Sequence, residues 1–337
     1  MRLRRSHPDR AGISRRRRGS GFSYLDAEGK VITVREEVER LRKLAVPPAW
    51  RDVWICPSPN GHIQAVGIDE AGRRQYLYHD EWRIAQDADK HDRVRRLARR
   101  LQDFRTLVDE DLSAKGLGRN RVLAVALRML DQGVFRTGNT EYADEYGSRG
   151  AATLLRRDVS VRQGLLVFDF IAKGGVHRTI ELRDERLGTA VAALKRSRHD
   201  SPLLLVHHEK DGWHEIDAGL INERFQELVG AGHTVKDLRT WNATVRAAVA
   251  LSHTEPPTTK RAAKALVKAM LAEVSDHLGN TPTVARNSYV DPRVIDQFER
   301  GRTIERAIRR AGSDDLGLPD VRAALERSVV RLLSDAG

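Results

Sequence analysis

Residues 165–182, LLVFDFIAKGGVHRTIEL, decide how the fold is predicted. Their two halves, 165–171 and 176–182, are β-like runs, and the Ala-Lys-Gly-Gly sequence at 172–175 between them is typical of a hairpin turn. The sequence on both sides of this hairpin follows helical patterns. A single hairpin embedded in helical sequence predicts a domain that is mainly α with a small β element.

The helical patterns around the hairpin are regular. Apolar residues spaced by 3, 4, 3 and 4 positions run through residues 94–108 and predict a helix with one apolar face. Residues 121–130 are apolar on more than one side, which indicates a buried helix, and Gly133 ends it. Further helices are predicted at 218–229, 235–251, 259–278, 282–289, 293–311 and 318–334.

The sequence before residue 82 has short, strand-like apolar runs instead. Strands are predicted at 53–57, 62–69 and 73–79, and a short helix at 35–44. The polar segment 85–91, AQDADKH, lacks periodicity and is the best candidate for a domain boundary. We therefore predict an α+β fold with a small β-rich domain over 21–88 and a larger, mainly α domain over 89–337.

The charge is concentrated at the start of the chain. Among 337 residues, 59 Lys and Arg face 47 Asp and Glu, a net charge of +12. Residues 1–20 hold eight arginines and one acid, Asp9, which is +7 of that total. We interpret residues 1–20 as a flexible basic arm that neutralises phosphates, which favours a nucleic-acid partner.

Several functional classes are excluded or disfavoured by the sequence. No run approaches about 18 consecutive apolar residues, and the N-terminus lacks the apolar segment of a secretory signal. Cys56 is the single cysteine, so a disulfide framework and a multi-cysteine zinc site are excluded. The sequence has no G-x-x-x-x-G-K-[ST] and no H-E-x-x-H motif. We expect a cytoplasmic protein that needs neither nucleotide nor metal and has no membrane partner.

Short motifs at four places stand out from this background, and the fourth place holds two neighbouring motifs. Arg136 lies in FRTGN (135–139), Lys173 in the hairpin turn, and Arg239 in KDLRTW (236–241). Asn280 lies in LGNTP (278–282), and Tyr289 ends ARNSY (285–289). Taken singly, a turn lysine is usually solvated, a helical arginine is usually structural and a helical tyrosine usually packs in the core. Their order along the chain is what points to a shared function.

This order resembles the catalytic residues of type IB DNA topoisomerases, in particular the small poxvirus-like form found in bacteria. The resemblance extends from about residue 20 to residue 300 and implies two domains that form a clamp around duplex DNA. It implies a monomer without cofactors, associated with the nucleoid. It also implies that Tyr289 attacks a phosphodiester to give a 3′-phosphotyrosyl link, with Arg136 and Arg239 stabilising the transition state and Lys173 as general acid.

One position departs from the family pattern. Poxvirus relatives carry histidine nine residues before the tyrosine, where this chain has Asn280. Both side chains can donate a hydrogen bond to a phosphate oxygen, but only histidine titrates near neutral pH. The role that carries over to Asn280 is therefore that of oxyanion donor. His277 lies three residues away and could substitute for the family histidine, but its phase on the preceding helix favours a core or surface role.

Contacts with DNA are implied by the same resemblance. The segment GRRQYLY (72–78) looks like the DNA-contacting strand of that family. The predicted DNA-binding residues are Arg73, Gln75, Tyr76, Tyr78, Asn139, Tyr142 and Lys236. The alternative for Tyr76 and Tyr78 is that they pack one face of a strand, since residues i and i+2 share a side.

Two other functions remain open from the sequence. A tyrosine recombinase shares the Arg–Lys–Arg–Tyr chemistry, although recombinases usually carry histidine where this chain has Lys236. A non-catalytic DNA-binding protein could keep the same fold. The nearly complete catalytic set and the GRRQYLY strand favour the topoisomerase.

Overall fold

The structure, a computed structural model, describes residues 3–19, 21–70, 72–138, 147–254 and 259–334. The chain divides into two compact units, Met1–Lys90 and His91–Gly337. The fold is mixed helix and strand, with an N-terminal β-sheet and a larger unit that is mainly helical.

The N-terminal unit is built on a five-stranded antiparallel sheet. Its strands are β1 (Ile13–Arg18), β2 (Gly21–Leu25), β3 (Arg51–Ile55), β4 (Ile63–Ile68) and β5 (Arg74–Tyr78), in the order β2-β1-β3-β4-β5. One face of the sheet buries a small apolar core with Leu41 of helix α1 (Arg35–Lys43). The three strands predicted in this region are confirmed, with ends that differ by one or two residues, and so is the short helix.

The prediction of a flexible arm over residues 1–20 is wrong for residues 13–18. These residues form β1, which lies between β2 and β3 inside the sheet. Ile13 packs in the core, and Arg15 on the same face donates hydrogen bonds to the carbonyls of Val46 (2.8 Å), Pro47 (2.5 Å) and Trp50 (3.0 Å). A count of charges does not reveal that a half-buried arginine can satisfy carbonyl groups in this way.

The polar segment 85–91 is helical. It lies within α2 (Asp80–Ala98), and the division between the two units falls inside this helix, between Lys90 and His91. Only three residues of α2 are buried, all of them in its second half. The first half has no apolar periodicity because it is exposed. The single helix predicted over 94–108 is wrong, because the structure has a turn at residues 99–100 that divides this stretch between α2 and the next helix, Leu101–Ser113.

The larger unit contains eleven helices among the described residues, counting α2. The others are α3 (Leu101–Ser113), α4 (Arg119–Asp131), α5 (Glu185–Arg196), α6 (Ala218–Val229), α7 (Val235–Ser252), α8 (Lys260–Leu278), α9 (Pro282–Ser288), α10 (Pro292–Glu299), α11 (Glu305–Ala311) and α12 (Pro319–Ser334). The helix predicted over 293–311 is two helices, interrupted near Gly301, whose φ of 74° is left-handed.

The predicted hairpin is confirmed and belongs to a three-stranded antiparallel sheet. It consists of β7 (Leu165–Ala172) and β8 (Val176–Arg183), and β6 (Val159–Arg162) pairs with β7. A second small hairpin, β9 (Val206–Glu209) and β10 (Gly212–Glu215), was not apparent from the sequence pattern. None of the described helices is long and apolar enough to cross a membrane.

Helix α7 is the centre of the larger unit. All but three of its eighteen residues are buried, including Trp241 and Arg239. Its first turn is fixed by a capping box between Thr234 and Asp237, and Arg93 donates two hydrogen bonds to the Asp237 carboxylate (2.9 and 3.1 Å). A buried, well-anchored helix of this kind is a rigid base for side chains that line a site.

Candidate active site

Arg136 is presented by a short loop that follows α4. The chain turns at Gly133, whose φ is 78° and where a Cβ atom would lie 2.6 Å from Cβ of Asn242. Phe135 is buried, and its ring contacts Phe168 and Phe170 of β7. This packing fixes the backbone beside Arg136, and the Arg136 side chain lines a cavity.

The Arg136 guanidinium contacts two of the other predicted catalytic residues. Its Nη1 donates to the hydroxyl of Tyr289 at 3.4 Å, and its Nη2 donates to Oδ1 of Asn280 at 2.5 Å. Tyr289 and Asn280 are more than 140 residues away along the chain. The fold therefore brings three of the five predicted catalytic residues into direct contact.

Arg239 lies next to the ring of Tyr289 and is only 5% exposed. Its guanidinium donates hydrogen bonds to the carbonyls of Gly133 (2.7 Å) and Leu278, and its Cζ is 5.3 Å from the centroid of the Tyr289 ring. Burial, followed by the nearby charge of Arg136, lowers the pKa of Arg239 to about 10. Arg239 is therefore still a cation at neutral pH.

Tyr289 is held at the end of α9 and is 6% exposed. The hydroxyl of Thr244 contacts its carbonyl oxygen at 3.3 Å and accepts from the backbone N–H of Asp291 at 3.1 Å. Burial alone would raise the pKa of the Tyr289 phenol, but the charges and hydrogen bonds of Arg239 and Arg136 hold that pKa below its ordinary value of about 10.

Asn280 follows α8 immediately after its C-cap, Gly279. The φ of Gly279 is 60°, and a Cβ atom there would lie 2.3 Å from Nη1 of Arg178, so no larger residue fits without a shift. The side-chain Nδ2 of Asn280 is buried and has no hydrogen-bond partner within the part of the chain that the structure describes. Asn280 thus has an amide donor available at the cavity that it lines.

Lys173 lies in the β7–β8 turn and is exposed. It lines a cavity of about 1790 Å³ that is also lined by Arg136, Asn280 and Tyr289. Arg178 of β8 donates to the carbonyls of Asp276 (3.0 Å) and His277 (2.9 Å), which attaches the hairpin to the end of α8. Sequence reasoning missed Arg178, because nothing in its local pattern separates it from the other arginines.

His277 does not replace the missing family histidine as a titrating group. Its Nε2 contacts the carbonyl of Gln132 at 3.4 Å. Burial, followed by the charge of Arg246, lowers the pKa of His277 to about 3, so its imidazole is neutral at physiological pH. Among the described residues, no group of three or more His, Cys, Asp or Glu side chains is arranged to hold a metal ion.

The predicted DNA-binding residues of the N-terminal unit lie on different faces of β5. Tyr76 and Tyr78 are 40% and 46% exposed, with their rings stacked at 6.1 Å, so they are not core residues. Gln75 lies on the opposite face, and its amide donates to Asp69 at 2.9 Å. Arg73 is exposed and forms an ion pair with Asp69 at 2.8 Å.

The remaining predicted DNA-binding residues belong to the larger unit. Lys236 is exposed in the first turn of α7, next to the buried Asp237. Asn139 and Tyr142 lie outside the described residues. The sequence prediction missed Arg74, whose guanidinium lies 5.7 Å from the centroid of the Tyr76 ring and which alternation places on the same face.

Comparison with known protein families shows which family the chain matches. Residues 79–311 match the catalytic core of eukaryotic DNA topoisomerase I, and residues 21–69 match the N-terminal domain of bacterial DNA topoisomerase IB. The chain belongs to the type IB DNA topoisomerase family. It is therefore an isomerase that cleaves and religates DNA, and the resemblance noted in the sequence is confirmed.

Individual relatives agree with this assignment. DNA topoisomerase 1B of Acanthamoeba polyphaga mimivirus is 26% identical over 286 residues, which is 83% of this chain and 85% of the relative. DNA topoisomerase I of monkeypox virus is 22% identical over 237 residues, 69% of this chain and 72% of the relative. A solved structure of the XerH site-specific recombinase bound to difH matches with a TM-score of 0.37 and 15% identity, over 59% of this chain and 51% of XerH, too low to carry an argument.

Proposed function

We propose that this topoisomerase relaxes supercoiled duplex DNA through a covalent 3′-phosphotyrosyl intermediate formed on Tyr289. The observation that carries the proposal is the contact of one guanidinium, that of Arg136, with both the Tyr289 hydroxyl and Asn280. The Arg239 guanidinium lies 5.3 Å from the centroid of the tyrosine ring. A phenol next to two arginines is suited to attack on a phosphorus atom.

The first chemical problem is that a protonated phenol is a weak nucleophile. The positive charges of Arg136 and Arg239 favour the phenolate and so lower the pKa of Tyr289 despite its burial. In the reaction, the Tyr289 oxygen bonds to phosphorus as the bond to the 5′ oxygen breaks. The DNA 3′ phosphate is then joined to the enzyme.

The second problem is the charge on the pentacoordinate transition state. Arginine guanidinium groups fit the non-bridging oxygens of a phosphate, and we assign this role to Arg136 and Arg239. The unused Nδ2 donor of Asn280 would provide a further hydrogen bond to one of these oxygens. Because the amide does not titrate, Asn280 acts as a hydrogen-bond donor and not as an acid.

The third problem is the leaving 5′ oxygen, which departs readily only if it is protonated. We assign the donation of this proton to Lys173, since Lys173 and Tyr289 line the same cavity. The free 5′-hydroxyl strand can then swivel about the intact strand. Religation is the reverse step and needs no ATP, because the phosphotyrosyl link retains the energy of the broken bond.

The duplex must be held while one strand swivels. We propose that Arg73, Gln75, Tyr76 and Tyr78 of the N-terminal unit and Asn139, Tyr142 and Lys236 of the larger unit contact DNA. The Asp69 carboxylate binds the side chains of both Arg73 and Gln75. The two units would act as a clamp on the duplex. We further propose that the enzyme works as a monomer on nucleoid DNA.

The proposal is tested with Tyr289→Phe, which removes the nucleophilic oxygen and little else. We expect the variant to lose plasmid relaxation and covalent adducts while keeping its affinity for duplex DNA. Relaxation by Tyr289→Phe at the unsubstituted rate would exclude Tyr289 as the nucleophile. Strand exchange between two specific sites without any relaxation would favour the recombinase instead.

A further inference from the structure

The strand β1 carries four consecutive arginines, residues 15–18, and its pairing sends them to opposite faces of the N-terminal sheet. Paired residues of antiparallel strands share a face, and neighbours along a strand alternate. Ser14, Trp54, Val66 and Tyr76 are paired in one row across β1, β3, β4 and β5. Ser14 and Tyr76 therefore lie on the same face.

The core face of β1 is the opposite one. Ile13, Ile55, Ala65 and Leu77 form the next row across the same four strands, and they pack in the core of the N-terminal unit. Arg15 and Arg17 share the side of Ile13. The Arg15 side chain is held on that side, because its guanidinium bonds to three carbonyls and lies 4.1 Å from the centroid of the Phe22 ring.

Arg16 and Arg18 fall on the outer face with Tyr76 and are exposed. Their partners on β2 are small, Ser23 opposite Arg16 and Gly21 opposite Arg18, so the neighbouring strand carries no large side chain beside them. Two exposed cations next to small residues form a positive strip on this face. An exposed, regularly spaced pair of guanidinium groups suits the phosphates of a nucleic-acid backbone.

The strip lies on the same face as Tyr76 but is displaced from it along the strands. Ser14, the row partner of Tyr76, lies three strand spacings of about 4.8 Å from it, which is about 14 Å. Arg16 and Arg18 lie two and four residues further along β1, about 7 and 14 Å, so the strip is roughly 16 to 20 Å from Tyr76. This separation exceeds the width of the DNA major groove, about 12 Å, so a duplex placed against this face could meet β5 in a groove and the arginines at the phosphates beside it.

We propose that Arg16 and Arg18 bind phosphates of the duplex DNA that Tyr76 and Tyr78 contact, and that the outer face of the sheet is one DNA-binding surface. The inference rests on the proposed function in taking duplex DNA as the partner and Tyr76 and Tyr78 as residues that contact it. The match to the bacterial N-terminal domain starts at residue 21, so β1 lies outside it. The function assigned to β1 thus comes from its pairing and charge.

The test compares Arg16→Ala, Arg18→Ala and Arg17→Ala in the full chain. Each variant removes one positive charge from an exposed position on the same strand, but Arg17 faces the other side. Binding to a short duplex is measured over a range of salt concentrations. We expect the slope of log K against log salt to fall by about 0.9 for Arg16→Ala and for Arg18→Ala, since each phosphate contact contributes about that much.

Arg17→Ala should leave the slope unchanged, and Arg16→Lys and Arg18→Lys should keep most of it because the charge remains. Thermal unfolding identifies any variant that disturbs the sheet, and Arg16→Gln, Arg18→Gln and Arg17→Gln then replace the alanine series, because glutamine removes the charge and keeps a long side chain. Equal loss in all three alanine variants would show an effect of total charge and overturn the proposal, as would no loss in any of them.

Failure of this inference is distinguishable from failure of the proposed function. Covalent trapping of DNA by the unsubstituted chain and by Arg17→Ala reports on Tyr289 alone. If the adduct forms and the three slopes are equal, only the phosphate-binding strip is excluded. If no adduct forms, the proposed function fails whatever the slopes are.

Discussion

Tyr289 illustrates how two opposing effects on one residue are balanced. Its burial favours the neutral phenol, whereas Arg239 and Arg136 favour the phenolate and outweigh burial. We expect Tyr289 to ionise below the ordinary tyrosine pKa of about 10. An ultraviolet difference titration between the unsubstituted enzyme and Tyr289→Phe isolates its signal from the other five tyrosines.

Replacing Arg136 with alanine removes one of the two charges and should move the Tyr289 titration to higher pH. The direction follows because the phenolate loses an attractive partner while its burial remains. A Tyr289 that titrates at or above its ordinary value in the unsubstituted enzyme would contradict this description of the site.

Lys173 can be tested by changing the leaving group instead of the enzyme. A 5′-thiolate leaves without a proton, whereas a 5′ oxygen needs one. We expect Lys173→Ala to slow single-turnover cleavage strongly on normal DNA and far less on DNA with a 5′-bridging sulfur. Lys210→Ala, in the exposed turn of the β9–β10 hairpin, is the matched control and should slow neither reaction. Equal slowing of both substrates by Lys173→Ala would exclude Lys173 as the general acid.

The order of short motifs selects candidate residues for the site, since a family resemblance transfers positions directly. It selects Arg136, Asn280 and Tyr289, which the fold brings into contact at the Arg136 guanidinium, and Arg239, which lies 5.3 Å from the centroid of the Tyr289 ring. The motif order cannot select Arg178, because the role of Arg178 is to bind two backbone carbonyls at the end of α8. Such a role depends on tertiary structure and leaves no local pattern.

Among the secondary-structure elements, α12 bonds to the end of α4, just before the loop that carries Arg136. Its Arg322 donates to the backbone carbonyl (2.7 Å) and the carboxylate (3.0 Å) of Asp131, the last residue of α4, and Arg105 joins Asp131 to Glu326. Burial would raise the pKa of Asp131, but Arg105 and Arg322 hold that pKa below its usual range. The family match ends at residue 311, before this helix begins.

Removing Arg322 should therefore destabilise the larger unit. Arg322→Ala removes one of the two arginines that bind the Asp131 carboxylate, while Arg105 still bonds to the carboxylate and Asn242 to the carbonyl. We therefore expect the free energy of unfolding to fall by about 2 kcal/mol, the loss of charge-assisted hydrogen bonds. Arg331→Ala on the exposed side of the same helix should change it by less than about 0.5 kcal/mol. Denaturant unfolding of both variants measures the difference, and equal stabilities would show that the ionic network is dispensable.

The elements themselves were predictable where burial leaves a periodic pattern. The hairpin β7–β8 and the long helices α7 and α8 follow the sequence prediction closely. The pattern fails for β1, where arginines occupy strand positions, and for the first half of α2, where an exposed helix has no apolar face. In both cases the structure depends on contacts or exposure that composition does not encode.

For the whole molecule, the chemistry of the intermediate determines what the enzyme requires. Because the phosphotyrosyl bond conserves the energy of the broken bond, relaxation should proceed without ATP. The cations that the proposed mechanism uses are side chains, so a chelator should also leave relaxation intact. Swiveling has no preferred direction, and positively and negatively supercoiled plasmids should both be relaxed. A plasmid assay in excess chelator checks all three expectations, and a strict need for ATP or magnesium would contradict them.

The central claim concerns one covalent bond, between DNA and Tyr289. The most direct measurement traps the reaction with denaturant, isolates the DNA-linked protein and maps the modified residue by peptide mass spectrometry. The account predicts a link between the 3′ phosphate and Tyr289, with a free 5′-hydroxyl on the other side of the break. An adduct on another residue, or one joined through the 5′ phosphate, would contradict it.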